Sequence, residues 1–172
     1  MRPEIESRRT ARLSLVRVHP SDLADLCALH ADPRVMATLG GVRSEAETLA
    51  QLQALDAHWE QHGFGAWTAR DPASGRFLGR GGLRRVPVEG REEVEVLYAL
   101  AADAWGRGLA TELARESIRV GFQVLGFPEL VCFTLPENAR SLAVMQRVGF
   151  QYQRDFIHAG RPHRLHRLRT PG

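Results

Sequence analysis

The chain of 172 residues is 44% hydrophobic and 25% charged, which fits one globular domain better than two. Its formal net charge is +3 and its pI near 9.5, yet all 23 basic residues are arginine; a P-loop lysine, a protein-kinase lysine and a lysine Schiff base are thereby excluded, and any phosphate must be held by arginine or backbone amides. No apolar run approaches the roughly 20 residues that cross a bilayer, and MRPEIESRRT lacks the apolar stretch of a secretion signal, so the expected compartment is the cytoplasm, with no membrane partner.

In chain order, the polar MRPEIESRR is expected to be a loosely ordered arm over residues 1–9. ARLSLVRV alternates leucine and valine with polar residues and predicts a first strand. HPSDLADLCALH predicts a helix with Ser21 or Asp22 as N-cap and Leu23, Leu26, Cys27 and His30 on one face. SEAETLAQLQALDAHWEQHG opens with a capping box, Ser44 and Glu47. It then spaces Leu49, Leu52, Leu55 or Asp56, and Trp59 as a helix before Gly63 stops it, and Trp59 reads as core.

From Phe64 the period becomes that of strands: FGAWTAR, the turn DPASG and RFLGRGGL predict a hairpin, and the turn VPVEGRE leads to a fourth strand, EVEVLYAL. WGRGLATELARESIRVGFQVLG predicts a helix with Leu109, Ala110, Leu113, Ala114, Ser117 and Ile118 inward. ELVCFTL reads as a buried strand, NARSLAVMQRVGF as a helix ended by Gly149, and the remainder as a hairpin about Ala159 and Gly160. The assignment is a single α/β (α+β) domain over residues 1–172, a mixed sheet of about seven strands flanked by helices. Cys27 and Cys132 are far apart and lack CxxC spacing, so they read as reduced thiols; no metal site is expected.

The glycines of WGRGLATE sit at the mouth of a helix, where glycine is a poor helix former. Strand, glycine turn, helix is the arrangement in which N-terminal amides and the positive end of the helix dipole converge on an anion. A lone G-x-G is equally an ordinary tight turn. Neither G-x-G-x-x-G nor GK[ST] is present, since Thr111 stands where a third glycine would follow Gly108, so a dinucleotide or P-loop reading is weak.

VEVLYALAADAWGRGLATELA followed by CFTLPENARSLAVMQRVGF resembles the GCN5-related N-acetyltransferases (GNAT), in particular their RimJ/RimL-like branch, which acetylates protein N-terminal amines and various small amines. The likeness covers nearly the whole chain. The family signature Q/R-x-x-G-x-G/A falls on Trp105, Gly108 and Ala110, with tryptophan as a departure at the first position. The resemblance implies a splayed sheet with acetyl-CoA as cosubstrate between strands Val94 to Leu100 and Leu130 to Leu135. A bulge near Leu97 and Tyr98 would free backbone groups there, at Ala99 and at Leu100 for the pantetheine amides. The amides of Gly106, Arg107, Gly108, Leu109, Ala110 and Thr111 would hold the diphosphate, with Trp105 opening the motif, and a side chain at Gly108 would fill the phosphate site. Asn138 would bond the pantetheine arm, a role its position lets it share with capping the helix that starts at Ala139.

An amine attacking a thioester needs a proton acceptor and a donor for the departing thiolate. Glu95, alternating with Val94 and Val96 on the fourth strand, is the candidate base; a solvated strand carboxylate is the other reading. By resemblance Ser141 is the candidate acid or thiolate partner, a helix residue that merely orders water being the other reading; the tyrosine that many relatives carry seven residues after the asparagine is here Met145, which cannot donate a proton. An α-amine with a pKa of about 7.7–8.0 is roughly a tenth neutral at pH 7, which suits a weakly basic site better than a lysine-like amine near 10.4. Peptide N-termini, polyamines and antibiotic-like amines all stay open as acceptors. Glu45, Glu47 and Glu60 fit either an acidic entrance for a cationic acceptor or plain helix-surface charge. The resemblance also admits a homodimer.

Two other classes of function are weighed. HAGRPHRLHRLR concentrates four arginines and three histidines as a nucleic-acid surface would, but it lacks aromatics to stack bases, and its alternation suits an edge hairpin. A non-catalytic acyl-CoA sensor is the remaining class.

Overall fold

From the N-terminus a short helix α1 (Pro3–Glu6) leads into strands β1 (Ser7–Arg9) and β2 (Ser14–Arg17), then helices α2 (Leu23–Ala31), α3 (Pro33–Met36) and α4 (Glu45–His62). Strands β3 (Ala66–Arg70), β4 (Phe77–Val88) and β5 (Arg91–Leu100) precede α5 (Leu109–Arg119), β6 (Glu129–Thr134), α6 (Ala139–Val148), β7 (Gln151–His158) and β8 (Arg161–Arg169). The computed structural model describes residues 2–171. All eight strands form one mixed sheet in the order β1-β2-β3-β4-β5-β6-β8-β7, with helices on its faces.

The eighth strand lies where a loose arm was expected. Ser7–Arg9 pairs antiparallel with Ser14–Val16, Ile5 is fully buried, and its carbonyl accepts the indole N–H of Trp67 at 2.7 Å. Met1 is outside the described residues. A three-residue strand is too short to show alternation in sequence, so burial of Ile5 and edge pairing override the polar composition.

Local signals set most helix ends. The Ser44 hydroxyl accepts from Glu47 N at 3.2 Å while the Glu47 carboxylate accepts from Ser44 N at 2.7 Å, and Gly63 closes α4 with φ 71°. The buried stripe of α4 is Thr48, Leu52, Leu55 and Trp59; Leu49, expected inside, is exposed. The turn before α2 differs from expectation. Residues Pro20–Asp22 form a 3-10 turn capped by the His19 ring, and the Asp22 carboxylate accepts from His19 N, so neither Ser21 nor Asp22 caps α2 through its side chain. Both cysteines are free, Cys132 buried and Cys27 half-buried.

Helix α5 packs tightly on β4 because Gly81 carries no side chain: a Cβ there would lie 2.6 Å from Leu113 Cδ2 and 2.6 Å from the Leu97 carbonyl. Strand β4 runs on through Pro87 to Val88, so the expected turn contracts to Glu89 and Gly90. The C-terminal hairpin turns at Ala159 and Gly160, both with positive φ, and β8 lies inside the sheet between β6 and β7.

The feature that positions the site is the divergence of β5 and β6. They are parallel neighbours but register at one pair, Glu95 with Val131. Below that point a buried ion network joins β5, β6 and β8: Arg167 donates to Glu93 at 2.7 Å and to Glu129 at 2.7 Å. Removing one member of a buried charge network costs about 3–5 kcal/mol, because the partner is left unpaired. Arg167→Ala is therefore expected to lower the urea-unfolding free energy by about that amount, whereas a loss under about 1 kcal/mol would show that the network adds no net stability.

Candidate active site

Beyond Glu95 and Val131 the two strands part, and a cavity of about 1120 Å³ opens between them. That exceeds the roughly 300–1,000 Å³ typical of a single drug-sized ligand, leaving room for two reactants. The expected bulge at Leu97 and Tyr98 is absent: β4 and β5 pair without interruption from Gly79 with Leu100 to Val88 with Arg91. The carbonyls of Leu97 and Ala99 lie against β4, so by the alternation of the ladder the backbone groups of Tyr98 and Leu100 are the ones that face the gap, without a strand partner because β6 turns away; no inserted residue is needed.

At one end of the cleft lies the glycine turn. Gly106 and Gly108 have φ of 73° and 74°, which an L side chain rarely adopts, so the two glycines are there for backbone conformation. A Cβ at Gly108 meets no protein atom nearer than Arg12 at 3.4 Å, so the space beside the turn is open. This conformation turns six consecutive N–H groups, Gly106 to Thr111, away from any acceptor among the described residues, and Gly108 provides no side-chain cap for α5. The Thr111 hydroxyl is buried and likewise has no partner.

Arg12, which sequence reasoning missed, ties this turn down. Its guanidinium donates to the Arg107 carbonyl at 2.6 Å and to Glu112 at 2.8 Å, and its N–H donates to Glu112 at 2.7 Å. The indole of Trp105 donates to the Leu100 carbonyl at 3.0 Å, and Arg140 stacks 3.9 Å above its ring. Arg107 itself is exposed at the rim; Leu109 is buried and Ala110 half-buried. Asn138 is the N-cap of α6: its carbonyl accepts from Ser141 N at 3.1 Å, while its amide donates to Thr134 at 2.9 Å and Thr38 at 3.2 Å. It thereby joins α6, the end of β6 and the segment after α3.

The two candidate catalytic groups lie on opposite faces of the sheet. Glu95 and Tyr98 are three residues apart on β5 and so project to opposite sides. Glu95 is 5% exposed, and its Oε2 accepts from Arg84 Nε at 2.5 Å. No donor among the described residues reaches its Oε1, so that oxygen is open to the cavity. Burial raises the Glu95 carboxyl above the usual range, against the opposing pull of Arg84 and Arg80. On the α6 side the Tyr98 hydroxyl meets Ser141 Oγ at 3.0 Å, and burial pushes the phenol well up, keeping it a neutral donor. Met145 is buried in the core. The Tyr98 hydroxyl was not foreseen, because its partner lies 43 residues away.

The acidic entrance does not form. Glu47 is engaged in the capping box, Glu60 pairs with Arg17, and neither they nor Glu45 lines the cavity. In the C-terminal hairpin Arg161 pairs with Glu137, Arg167 with Glu93 and Glu129, and Arg169 with Glu129. No helix among the described residues is long and apolar enough to cross a membrane.

The sequence profile described as "Acetyltransferase (GNAT) domain" matches residues 12–151. An FsC-acetyl coenzyme A-N(2)-transacetylase of Aspergillus fumigatus is 30% identical over 161 residues, covering 86% of this chain and 66% of that longer protein. The crystal structure of an acetyltransferase from Agrobacterium tumefaciens superposes with a TM-score of 0.86 at 25% identity, over 99% of this chain and 98% of the other. RimL, a ribosomal L7/L12 alpha-N-protein acetyltransferase solved with coenzyme A, shares the fold with a TM-score of 0.73 at 16% identity, over 93% and 95%.

Proposed function

The chain belongs to the GNAT acetyltransferase family, and from that premise we propose that it transfers the acetyl group of acetyl-CoA to a primary amine by direct attack within a ternary complex. The observation that carries this reading is the run of unpartnered N–H groups from Gly106 to Thr111, next to the orphaned Thr111 hydroxyl. Such a cradle matches a diphosphate in charge and in donor count. It also answers how a chain without lysine could grip one. Charge-assisted hydrogen bonds contribute about 1.5–3 kcal/mol each, so four or five amides suffice. The gap-facing backbone edge at Tyr98 and Leu100, where the Leu100 carbonyl is already shared with the Trp105 indole, suits the amides of a pantetheine arm, and Asn138 is tied by Thr134 to the end of β6.

The thioester supplies an acyl group already activated toward nucleophiles. Glu95 acts as base: its open Oε1 takes a proton from the acceptor nitrogen, directly or through one water, as the C–N bond forms and the C–S bond breaks. Arg84 fixes the other oxygen, so the base is held in one orientation. Ser141, oriented by Tyr98 and by the cap from Asn138, donates a hydrogen bond to the departing sulfur on the opposite face; the thiolate then takes a proton from water, and Glu95 returns its own to solvent. The fold shared with RimL supports the RimJ/RimL-like placement, which makes a protein N-terminal amine or a small amine the acceptor.

A thermal-shift titration with CoA and acetyl-CoA, followed by thiol release over N-terminal peptides, polyamines and aminoglycosides, tests the reading. At a hundredfold excess over Kd the donor adds about 2.7 kcal/mol of stability, a rise of about 5–11 °C for a chain of this size, and at least one amine class releases thiol. Stabilisation without thiol release from any amine would instead favour an acyl-CoA sensor. Salt-sensitive RNA retention without any thermal shift would favour a nucleic-acid role.

A further inference from the structure

The arginines at the diphosphate end of the cavity are what a phosphorylated donor requires, but a second group of arginines is not explained by it. Along β4, alternate residues face opposite sides of the sheet. Gly81 meets α5, whereas Arg80 meets His30 of α2, and Arg84, four residues on and so on the same side, meets Glu95 of β5. Arg84 is neutralised by Glu95, which among the described residues is the one carboxylate lining the cavity. Arg80 is 5% exposed, has no acidic partner, and makes one side-chain hydrogen bond among the described residues, from Nε to His30 Nε2 at 3.3 Å. Its two terminal nitrogens are left for whatever occupies the cavity, which the residue lines. Arg43, also a lining residue, donates to Gln51 and to the Leu39 carbonyl and has no carboxylate partner either.

This arrangement is built rather than incidental. Because His30 Nε2 accepts from Arg80, its Nδ1 carries the proton and donates to Thr48 Oγ1 at 3.1 Å, so α4, α2 and β4 are linked through one buried chain. Burial together with the charges of Arg80 and Arg43 pushes His30 down to about 4, so the ring stays neutral beside the guanidinium. A buried guanidinium held in place with its donating edge free is the form of a carboxylate or phosphate receptor. Glu95 attracts it without a hydrogen bond, so without an anion in the cavity its burial is only partly compensated.

We propose that the acceptor is a primary amine that also bears an anionic group, a carboxylate above all, with Glu95 facing the nitrogen and Arg80, flanked by Arg43, holding the anion. This rests on the acetyl-transfer reading for the identity of the acceptor half of the cleft. It selects free amino acids or peptides with an acidic residue next to the N-terminus over polyamines, whose cations would face two unneutralised arginines.

The test uses acceptors that differ by one charge: free amino acids against their amides, and N-terminal peptides with Glu or Gln at the second residue, with spermidine as the cationic probe. The expected kcat/KM is at least tenfold higher for the acid of each pair that is turned over, carried mainly by KM, and spermidine is not acetylated. The amino-acid and peptide pairs separate the two sources of the carboxylate. Arg80→Gln brings the acid-to-amide ratio close to one and Arg80→Lys restores part of it, while an intact thermal shift with acetyl-CoA shows that the variant is folded. In parallel, calorimetry of the N-acetylated acids and amides on the CoA-loaded wild type reads the same preference without turnover. Absence of thiol release with acids still binding tenfold tighter than amides would refute acetyl transfer and keep the anion site. Equal use of acid and amide in the wild type, equal binding of their products, or ready acetylation of spermidine would overturn the proposal.

Discussion

Gly108→Val abolishes acetyl-CoA binding at concentrations that saturate the wild type. At φ 74° a β-branched residue is forced out of its allowed backbone region, a strain of at least about 1–2 kcal/mol, and the turn relaxes to a conformation valine accepts. The N–H groups of Gly106 to Thr111 then no longer converge. Losing two or three charge-assisted hydrogen bonds at about 1.5–3 kcal/mol each weakens binding by roughly 10²-fold or more. The turn is exposed, so the fold itself persists, and calorimetry of CoA against a protein with a near-wild-type melting curve separates the two effects. A Kd within threefold of wild type would show that the glycine serves only the chain's own turn.

Glu95→Gln is expected to lower kcat by about 10²–10⁴-fold, the usual range for losing a positioned general base, with the Kd for acetyl-CoA unchanged. Glutamine keeps the shape and can still accept from Arg84, so the packing of β4 against β5 survives. The pH profile adds a second readout. Burial raises the Glu95 pKa, and a base works only when deprotonated; wild-type activity is therefore present above that pKa and falls as pH drops through it, at a pH above the ordinary glutamate range. That acidic limb is absent from the glutamine variant. Turnover within threefold of wild type, or an unaltered acidic limb, would remove Glu95 from the chemistry.

What could be read from the chain was what local sequence controls. Ser44 with Glu47, Gly63, Asn138 and Gly149 act within one helical turn of themselves, so their roles are visible in order and spacing. The glycine turn was legible for the same reason, and its positive φ is a backbone requirement that the spacing alone does not show. The groups that converge on the cleft from elsewhere were hidden. Arg80 and Arg84 look like solvated strand arginines until the β4–β5 register sets Arg84 opposite Glu95 and the packing of α2 brings His30 to Arg80. Arg12 joins Glu112 across 100 residues, and Tyr98 meets Ser141 across 43. The bulge was the wrong device for a correct consequence: strands that separate after one registered pair free the same backbone groups without an extra residue.

The central claim is that main-chain donors at the start of α5 grip the diphosphate of a thioester lodged in the gap between β5 and β6. A crystal structure of the complex with CoA tests it most directly. Diphosphate oxygens are expected within hydrogen-bonding distance of the N–H groups of Leu109, Ala110 and Thr111, with the pantetheine chain running beside Leu97 to Leu100. Coenzyme bound at another surface, with those N–H groups still lacking a ligand, would contradict it.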